Sequence, residues 1–375
     1  MKRIELPHKV CGMTCMVNGL EDMYEWKTGQ RLPDWLLFYV SGLGAGFTYV
    51  KNKRALSPCM VFWGVTIRQQ YAALAEEVGF TWKIHEGRSF AYALEQAKAH
   101  VDRDTPVILG ALDMFHLPYY ERFYHHFHVP IHYVLLVGYD DKRAMALVYD
   151  CDRPDAQGIP YTDLQAAWNV NVPGLSKKNT FFVFEFNSHL ADIATIARDG
   201  LRRRAEAMLK PPVGILGLKG MRKLARELSR WPVELSPAQL DAALHHLAEY
   251  TGFPPALPSR LMGYTDAPDN HAAGRDGLAN LLNQLVADYN RPAWTEAAVL
   301  FKQSGQTLEK MTNAIVDFVL GEGDTLEPAS KLVGQVADLE EQAYTIIATD
   351  ATHFPFEEQP EIFTAVVGEF LNEIK

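Results

Sequence analysis

The chain has 375 residues, a formal net charge of −10, 48% hydrophobic and 22% charged residues. This is the balance of a globular protein of roughly two domains, and it excludes a disordered, collagen-like or coiled-coil chain and argues against general nucleic-acid binding. Four cysteines, at 11, 15, 59 and 151 and without a CxxC pair, suit neither a disulfide framework nor a zinc ribbon.

The opening MKRIELPHKV is basic but broken by Glu5 and Pro7, and it lacks the apolar core of a signal peptide. After Gly12 the pattern becomes helical. Cys11 is therefore expected at or just before a helix N-terminus, where unpaired N–H groups and the helix dipole favour a thiolate. Cys15, one turn on, is expected to point into the packing. The apolar run WLLFYVSGLGAGF at 35–47 is glycine-broken and short of the ~20 residues a membrane span needs. A cytoplasmic protein with no membrane partner is expected. Within that run GLGAG has the wrong spacing for a dinucleotide fingerprint, and strand-like FTYV follows it. Gly42, Gly44 and Gly46 instead suggest a tight turn that brings backbone close to a ligand or cleft.

Strand signals follow at 59–67 (CMVFWGVTI), 105–112 (TPVILGAL), 132–140 (HYVLLVGYD), 145–150 (MALVYD) and 180–186 (TFFVFEF). Helical stretches lie at 68–77 and 90–101, and the 132–150 segment predicts a hairpin turning at Asp140–Arg143. His116, His125, His126, His128 and His132 form a dense run to which His8, Cys11 and Cys15 could add ligands. HHFH is not a zinc-site spacing, however, and no metal is expected. Asp113, Tyr119 and His128 are expected to line a cleft and shape an acceptor pocket.

From 189 onward strand signals vanish. Apolar residues recur at helical spacing in 189–209, 217–231, 236–252, 277–290 and 295–320, with Ser236 and Pro237 as an N-cap and first-turn pair. A loop is expected at 254–274. The reading is an α+β domain over 1–188 and an all-helical domain over 189–375, joined near Asn187–Asp192.

His132 opens an otherwise apolar strand. A histidine at a strand start facing a cysteine at a helix N-terminus is the arrangement a nucleophilic pair needs: the imidazole takes the thiol proton and the thiolate attacks an acyl carbon. The strand of 145–150 pairs with it and ends in Asp150. That carboxylate is expected to hold Nδ1–H of His132 and leave Nε2 facing the sulfur. Asp152 competes for this role, and Asn169 and Asn171 are weaker rivals.

CGMTC followed by a helix, with HYVLLVGYDD and a later strand ending in Asp, resembles the papain-like cysteine peptidase fold, near the bacteriocin-processing peptidases. With SGLGAGFTY at 41–49, the segment 112–141 and GLKGMRKLARELSRW at 217–231, the chain resembles the butirosin-biosynthesis acyltransferase family. In that family a papain-like N-terminal domain precedes a helical one. The resemblance implies transfer of an acyl group from an acyl carrier protein to an amine, with Cys11 as nucleophile, His132 as base and Asp150 as orienting acid. Val10 stands where the family has a histidine, and Glu5 and Leu6 occupy the neighbourhood of the peptidases' glutamine. The oxyanion is therefore expected to rest on the Cys11 backbone N–H with His8.

The resemblance implies a phosphopantetheine or CoA thioester as donor, a small-molecule amine or hydroxyl as acceptor, and no metal or redox cofactor. The run 198–230 is basic within an acidic chain. Arg203, Arg204, Arg222 and Lys223 are the expected docking residues for an acidic carrier protein. Two other outcomes share these residues: a thioesterase, cyclase or peptidase with the same nucleophile, and a non-catalytic carrier-binding scaffold.

Overall fold

The computed structural model describes residues 1–12, 14–52, 57–172, 176–251, 274–289 and 291–350. The chain divides into two compact units: one of Met1–Leu43 and Val65–Ile196, the other of Gly44–Gly64 with the residues from Ala197 onward.

The first unit is built on a seven-stranded sheet. Its strands are β1 (Lys2–Arg3), β4 (Phe80–His85), β5 (Val107–Leu112), β6 (His132–Asp140), β7 (Met145–Asp150), β8 (Arg153–Pro160) and β9 (Phe181–Phe186), while β2 (Thr48–Lys51) and β3 (Cys59–Phe62) form a separate hairpin. The sheet order is β4-β9-β5-β6-β7-β8 with β1 added on β6, and every pairing is antiparallel. All of β5 is buried, as is β6 from His132 to Gly138. That explains their continuous apolar runs: a central strand covered on both faces has no polar alternation.

Helix α1 (Cys15–Thr28) packs on this sheet through Val17, Leu20, Met23 and Tyr24. Gly19 permits the close approach, since a Cβ there would stand 3.2 Å from Leu135 and 3.3 Å from Ile108. Gly29 ends the helix in the left-handed region (φ 72°). Helices α2 (Leu36–Ser41), α3 (Ile67–Leu74), α4 (Phe90–Asp102) and α5 (Tyr161–Trp168) complete the unit. The mixture of sheet and helix is that of an α+β protein.

The second unit holds the β2–β3 hairpin and the helices α7 (Gly217–Glu227), α8 (Trp231–Glu234), α9 (Pro237–Thr251), α10 (Arg275–Tyr289), α11 (Ala293–Val319) and α12 (Glu327–Asp350). The break between units falls within α6 (Ile193–Leu209). Ser236 and Gln239 cap α9 reciprocally, each side chain accepting from the other's backbone N–H.

Several sequence expectations are corrected. The boundary lies at 196/197 rather than 188/189, and 44–64 belongs to the second unit. Polar contacts within that unit hold the segment. Tyr49 donates its hydroxyl to Glu227 (2.9 Å) and accepts from Trp231 Nε1 (3.3 Å). Arg275 donates to the Gly44 carbonyl (2.7 Å) while its guanidinium takes both oxygens of Glu340. The second unit is thus helical except for this hairpin. Strands β4 and β8 and helix α12 also went unread. The expected loop at 254–274 lies outside the described residues apart from Gly274.

Candidate functional site

The first turn of α1 begins at Cys15, not at Gly12. Thr14 is its N-cap residue, and its hydroxyl donates back to the Cys11 carbonyl at 2.5 Å. The first backbone bonds to close on this turn run from Val17 and Asn18 to the Thr14 carbonyl. The amides of Cys15 and Met16 precede them and have no acceptor within the helix. Cys15 therefore occupies the electropositive end of α1. It is half-buried, whereas Cys11 is buried in the preceding loop.

The structure brings Cys15, and not the expected Cys11, to His132. The thiol that hydrogen-bonds His132 is that of Cys15. The Cys11 sulfur meets the Thr14 side chain and the Trp35 backbone, and burial, with the Glu21 charge, pushes its pKa up to about 12. A thiol so held is a poor nucleophile at neutral pH.

The expected oxyanion donors are also occupied. The Cys11 N–H donates to the Cys151 carbonyl at 2.8 Å. His8 has Nδ1 on Asp22 (2.6 Å) and Nε2 on the Arg153 carbonyl (2.8 Å), with its ring stacked on Tyr149 at 4.3 Å. Both His8 nitrogens thus serve the packing of the N-terminal segment.

His132 sits at the start of β6 and Asp150 at the end of β7, two strands that pair across the sheet. Nε2 of His132 lies 2.9 and 2.8 Å from the two Asp150 carboxylate oxygens. This reverses the expected use of the ring: Nε2 takes the acid, and Nδ1 is left for the thiol. Burial opposes a charged imidazole here. The Asp150 carboxylate and its hydrogen bond outweigh burial, helped by Cys15, and hold the His132 pKa well above its ordinary value. Burial likewise opposes the Asp150 charge. The His132 charge, with hydrogen bonds from His132, Tyr119 and Tyr120, still brings the carboxyl pKa below its usual range.

Two tyrosines brace the acids. Tyr119 donates its hydroxyl to Asp150 at 2.7 Å, and Tyr120 donates to Asp152 at 2.6 Å while lying 3.3 Å from Nε2 of His132. Arg153 reaches Asp152 at 3.2 Å and lies over the Tyr120 ring. Asp152 is thus taken up by Tyr120 and Arg153, and Asp150 alone of the two carboxylates reaches His132. Asn171 is used elsewhere, accepting from the Lys178 N–H. Sequence reasoning missed Tyr120 and Arg153, whose partners are set by the β7–β8 turn and not by local pattern.

The remaining candidates separate. Asp113 caps the turn Met114–His116 by accepting from Phe115 N–H, and it also accepts from Val129 N–H and contacts His128 Nδ1 at 2.6 Å. His128 stacks on Phe115 at 4.2 Å. These residues brace their own loop. Gly42 terminates α2 in the left-handed region (φ 97°), and Gly44 and Gly46 belong to the second unit.

None of the four expected docking residues is fully exposed. Arg203, Arg204, Arg222 and Lys223 are half-buried. Arg222 pairs with Asp338 (2.9 Å) and Glu341 (2.8 Å), and Lys223 lies over the Tyr49 ring. Arg222 and Lys223 are therefore partly engaged within their own unit, while Lys210, Arg226 and Arg230 of the same run are exposed. Among the described residues, the group of three potential ligands with atoms within 4.8 Å of one another is Asp150, Cys151 and Asp152, not the histidine run. Its two carboxylates are already engaged as described.

Residues 14–151 match the family model described as butirosin biosynthesis protein H, N-terminal. The likeness to that N-terminal domain lies within the first 151 residues. The matched span contains Cys15, His132 and Asp150 and begins after Cys11. Residues 162–251 match a second family model, a domain of unknown function, DUF4872. No curated protein matches the chain. Among the described residues, no helix is long and apolar enough to cross a membrane.

Proposed function

We propose that this chain is a biosynthetic acyl-transfer enzyme in which Cys15 is the nucleophile, His132 the general base and acid, and Asp150 the group that orients the imidazole. The observation that carries this reading is the line of hydrogen bonds from the Cys15 thiol at the N-terminus of α1, through His132, to Asp150. A half-buried cysteine at a helix N-terminus, hydrogen-bonded to an imidazole that can exchange a proton with it, is placed as a nucleophile and base pair requires. The family match supports a role in natural-product biosynthesis.

A papain-like arrangement of the first unit fits the same facts. Its cysteine opens a helix packed on an antiparallel sheet, its histidine begins a strand, and its acid ends the neighbouring one.

The donor in this reading is an acyl thioester on a carrier protein's phosphopantetheine arm or on CoA. The Cys15 thiolate attacks the thioester carbonyl, and the negative oxygen is met by the Cys15 backbone N–H, one of the amides without a helical acceptor. The tetrahedral species collapses, the pantetheine thiol leaves with a proton from His132, and an acyl-Cys15 remains. An amine or hydroxyl acceptor then attacks the acyl carbon and gives its proton to His132, and the Cys15 thiolate is released. Both steps run on thiol and imidazole chemistry alone.

Intact-mass spectrometry after incubation with a panel of acyl-pantetheine thioesters tests the proposal. Acyl mass is expected on the wild type and absent from Cys15→Ala. An equal adduct on both proteins would overturn the assignment of Cys15. Free acid released without any transfer to an added amine would move the reading from transfer to hydrolysis.

A further inference from the structure

The opening of α1 is the least secured part of that helix. Residues Val17 to Tyr24 are all buried, whereas Cys15 and Met16 are half-buried. The N-cap residue Thr14 makes no side-chain cap, because its hydroxyl is engaged with the Cys11 carbonyl. A helix start without a cap, and without burial, opens more readily than the rest of the helix. This start carries the nucleophile, so its placement has to come from another element.

That element is α3. Tyr71 donates its hydroxyl to the Met16 carbonyl at 2.8 Å. Gln70, the residue before it, sets its Nε2 between the Val65 carbonyl (2.9 Å) and the Met16 sulfur (3.6 Å). Both Gln70 and Tyr71 are fully buried. The Tyr71 ring is itself fixed: Phe182, Phe184 and Trp82 meet it edge-on, with centroids 4.9, 5.1 and 5.9 Å away. These three come from β9 and β4. Helix α3 is closed at its own start by a reciprocal cap, in which Gln69 accepts the Thr66 N–H at 3.0 Å. A rigid strut therefore runs from the sheet, through α3, to the backbone of the residue after Cys15.

Packing alone does not account for Gln70. Its Oε1 is buried and, among the described residues, has no hydrogen-bond partner, a cost that an apolar side chain of the same length would avoid. We propose that Tyr71 and Gln70 are positioning residues for Cys15. They hold the first turn of α1 so that the thiol meets His132 and the Cys15 amide faces the oxyanion as it forms. Neither touches the reacting atoms. A backbone amide has no side chain of its own to aim it, so its direction depends on how the turn is held. Misplacing a reacting group by about 1 Å can cost on the order of 10²-fold in rate.

The inference rests on Cys15 as the nucleophile of the preceding reading, and the experiment separates the two. Single-turnover acylation by an acyl-pantetheine thioester of the panel above is followed by intact mass, over a range of donor concentrations, for the full-length wild type, Tyr71→Phe and Tyr24→Phe. Tyr24 is the matched comparison. It is buried farther along the same helix, and its hydroxyl donates to the Ala191 carbonyl at 2.9 Å. Each substitution thus removes one tyrosine-to-carbonyl hydrogen bond that ties α1 to its surroundings. Tyr71→Phe should lower the saturating rate constant about 10-fold and leave the half-saturating donor concentration unchanged. Tyr24→Phe should keep the wild-type rate constant. Gln70→Met should lower the rate constant as well, and it decides the matter if Tyr71→Phe does not fold. A merely structural role would reduce the fraction of protein that acylates and leave the rate constant of that fraction in place. That result, or an equal fall in Tyr71→Phe and Tyr24→Phe, would overturn the inference and leave Cys15 as the nucleophile. A folded wild type that gains no acyl mass at Cys15 would overturn the nucleophile and this inference with it.

Discussion

Nε2 of His132 stands 2.8 Å from Oδ2 of Asp150, so the acid holds the ring nitrogen farther from the backbone, while the same imidazole hydrogen-bonds Cys15. This fixes both the orientation and the charge of the imidazole. The folded-state pKa of His132 is raised well above 6.5, so its contribution to stability is fully present below that value and is lost as pH rises through the raised one. Asp150 has the opposite sign. Its carboxyl pKa is lowered, so its contribution is present above the ordinary 3.8 and is lost as pH falls through the lowered value.

Asp150→Asn should therefore cost most where both charges exist, between about pH 4 and 6.5. Removing one partner of a buried pair costs about 3–5 kcal/mol. Urea denaturation at pH 6 should show a loss of that size, and at pH 10 a smaller one. An equal loss at both pH values would mean that the imidazole is not charged in this pair.

Cys11→Ala should retain acylation at close to the wild-type rate, since its thiol is buried and its N–H contact to Cys151 survives the substitution. Cys15→Ala should lose it by roughly 10³-fold or more, as removal of a nucleophile does. Single-turnover acylation read by mass separates the two. Loss of acylation in Cys11→Ala with intact folding would restore Cys11 to consideration.

The two tyrosines are positioning residues. Hydrogen bonds to charged groups contribute about 1.5–3 kcal/mol, so Tyr119→Phe should lower kcat roughly 10-fold with little change in KM. It should also move the alkaline limb of the pH profile to higher pH, because the Asp150 carboxylate, short of one hydroxyl donor, becomes more basic and holds the imidazolium more firmly. A purely structural role would lower the amount of folded enzyme and leave the profile in place.

Glu21 supplies a second pH signature, away from His132. It is buried on α1, receives only a long contact from Asn18 (3.5 Å), and its other oxygen is without a hydrogen-bond partner. Burial, opposed by Arg31 and assisted by Asp22, pushes its pKa up to about 8. A carboxyl raised in the folded state makes the unfolded chain the better acid, so stability falls as pH rises from the ordinary carboxylate range towards 8. Glu21→Gln should raise the melting temperature at pH 8 and change it little at pH 5. A fall at pH 8 would show that the ionised carboxylate has a partner.

In the second unit the Arg275–Glu340 pair has both side chains fully buried, and Ser304 donates to Glu340 at 2.7 Å. Arg275→Ala strands a buried carboxylate and frees the Gly44 carbonyl. Denaturant titration should record a loss of about 3–5 kcal/mol, with Arg275→Lys recovering only part of it because one ammonium cannot serve Glu340 and Gly44 together.

The strands of the sheet's middle were legible because apolar residues, many of them aromatic or β-branched, dominate there, as in 132–140 and 181–186. Strand β8 was not. RPDAQGIP carries two prolines, a glycine and an aspartate, tolerable only because it lies at the sheet edge, where one side needs no ladder. The chemistry was legible in its types and missed by one turn. His132 and Asp150 stood out as polar residues at the ends of apolar strands. The helix start was placed too early, at Gly12 instead of Cys15, which set Cys11 in the place that the structure gives to Cys15. The better signal was Thr14, an N-cap residue type just before the periodic Val17, Leu20 and Met23. The fate of 44–64 could not be read locally, since its partners Glu227, Arg275 and Tyr344 are 178 to 299 residues away in sequence.

That excursion sets an order on synthesis. As the chain leaves the ribosome, the hairpin of 48–62 is complete long before Trp231, Arg275 or Tyr344 exist to receive it. Phe47, Tyr49, Val61 and Trp63, all buried in the finished protein, must wait, exposed or provisionally sheltered, until almost the whole polypeptide has been made. A gene cut at the apparent joint near residue 189 would yield an N-terminal fragment that still carries this sticky hairpin and a C-terminal fragment that lacks it. Any evolutionary history in which the two halves began as separate genes has to explain how they came to share it.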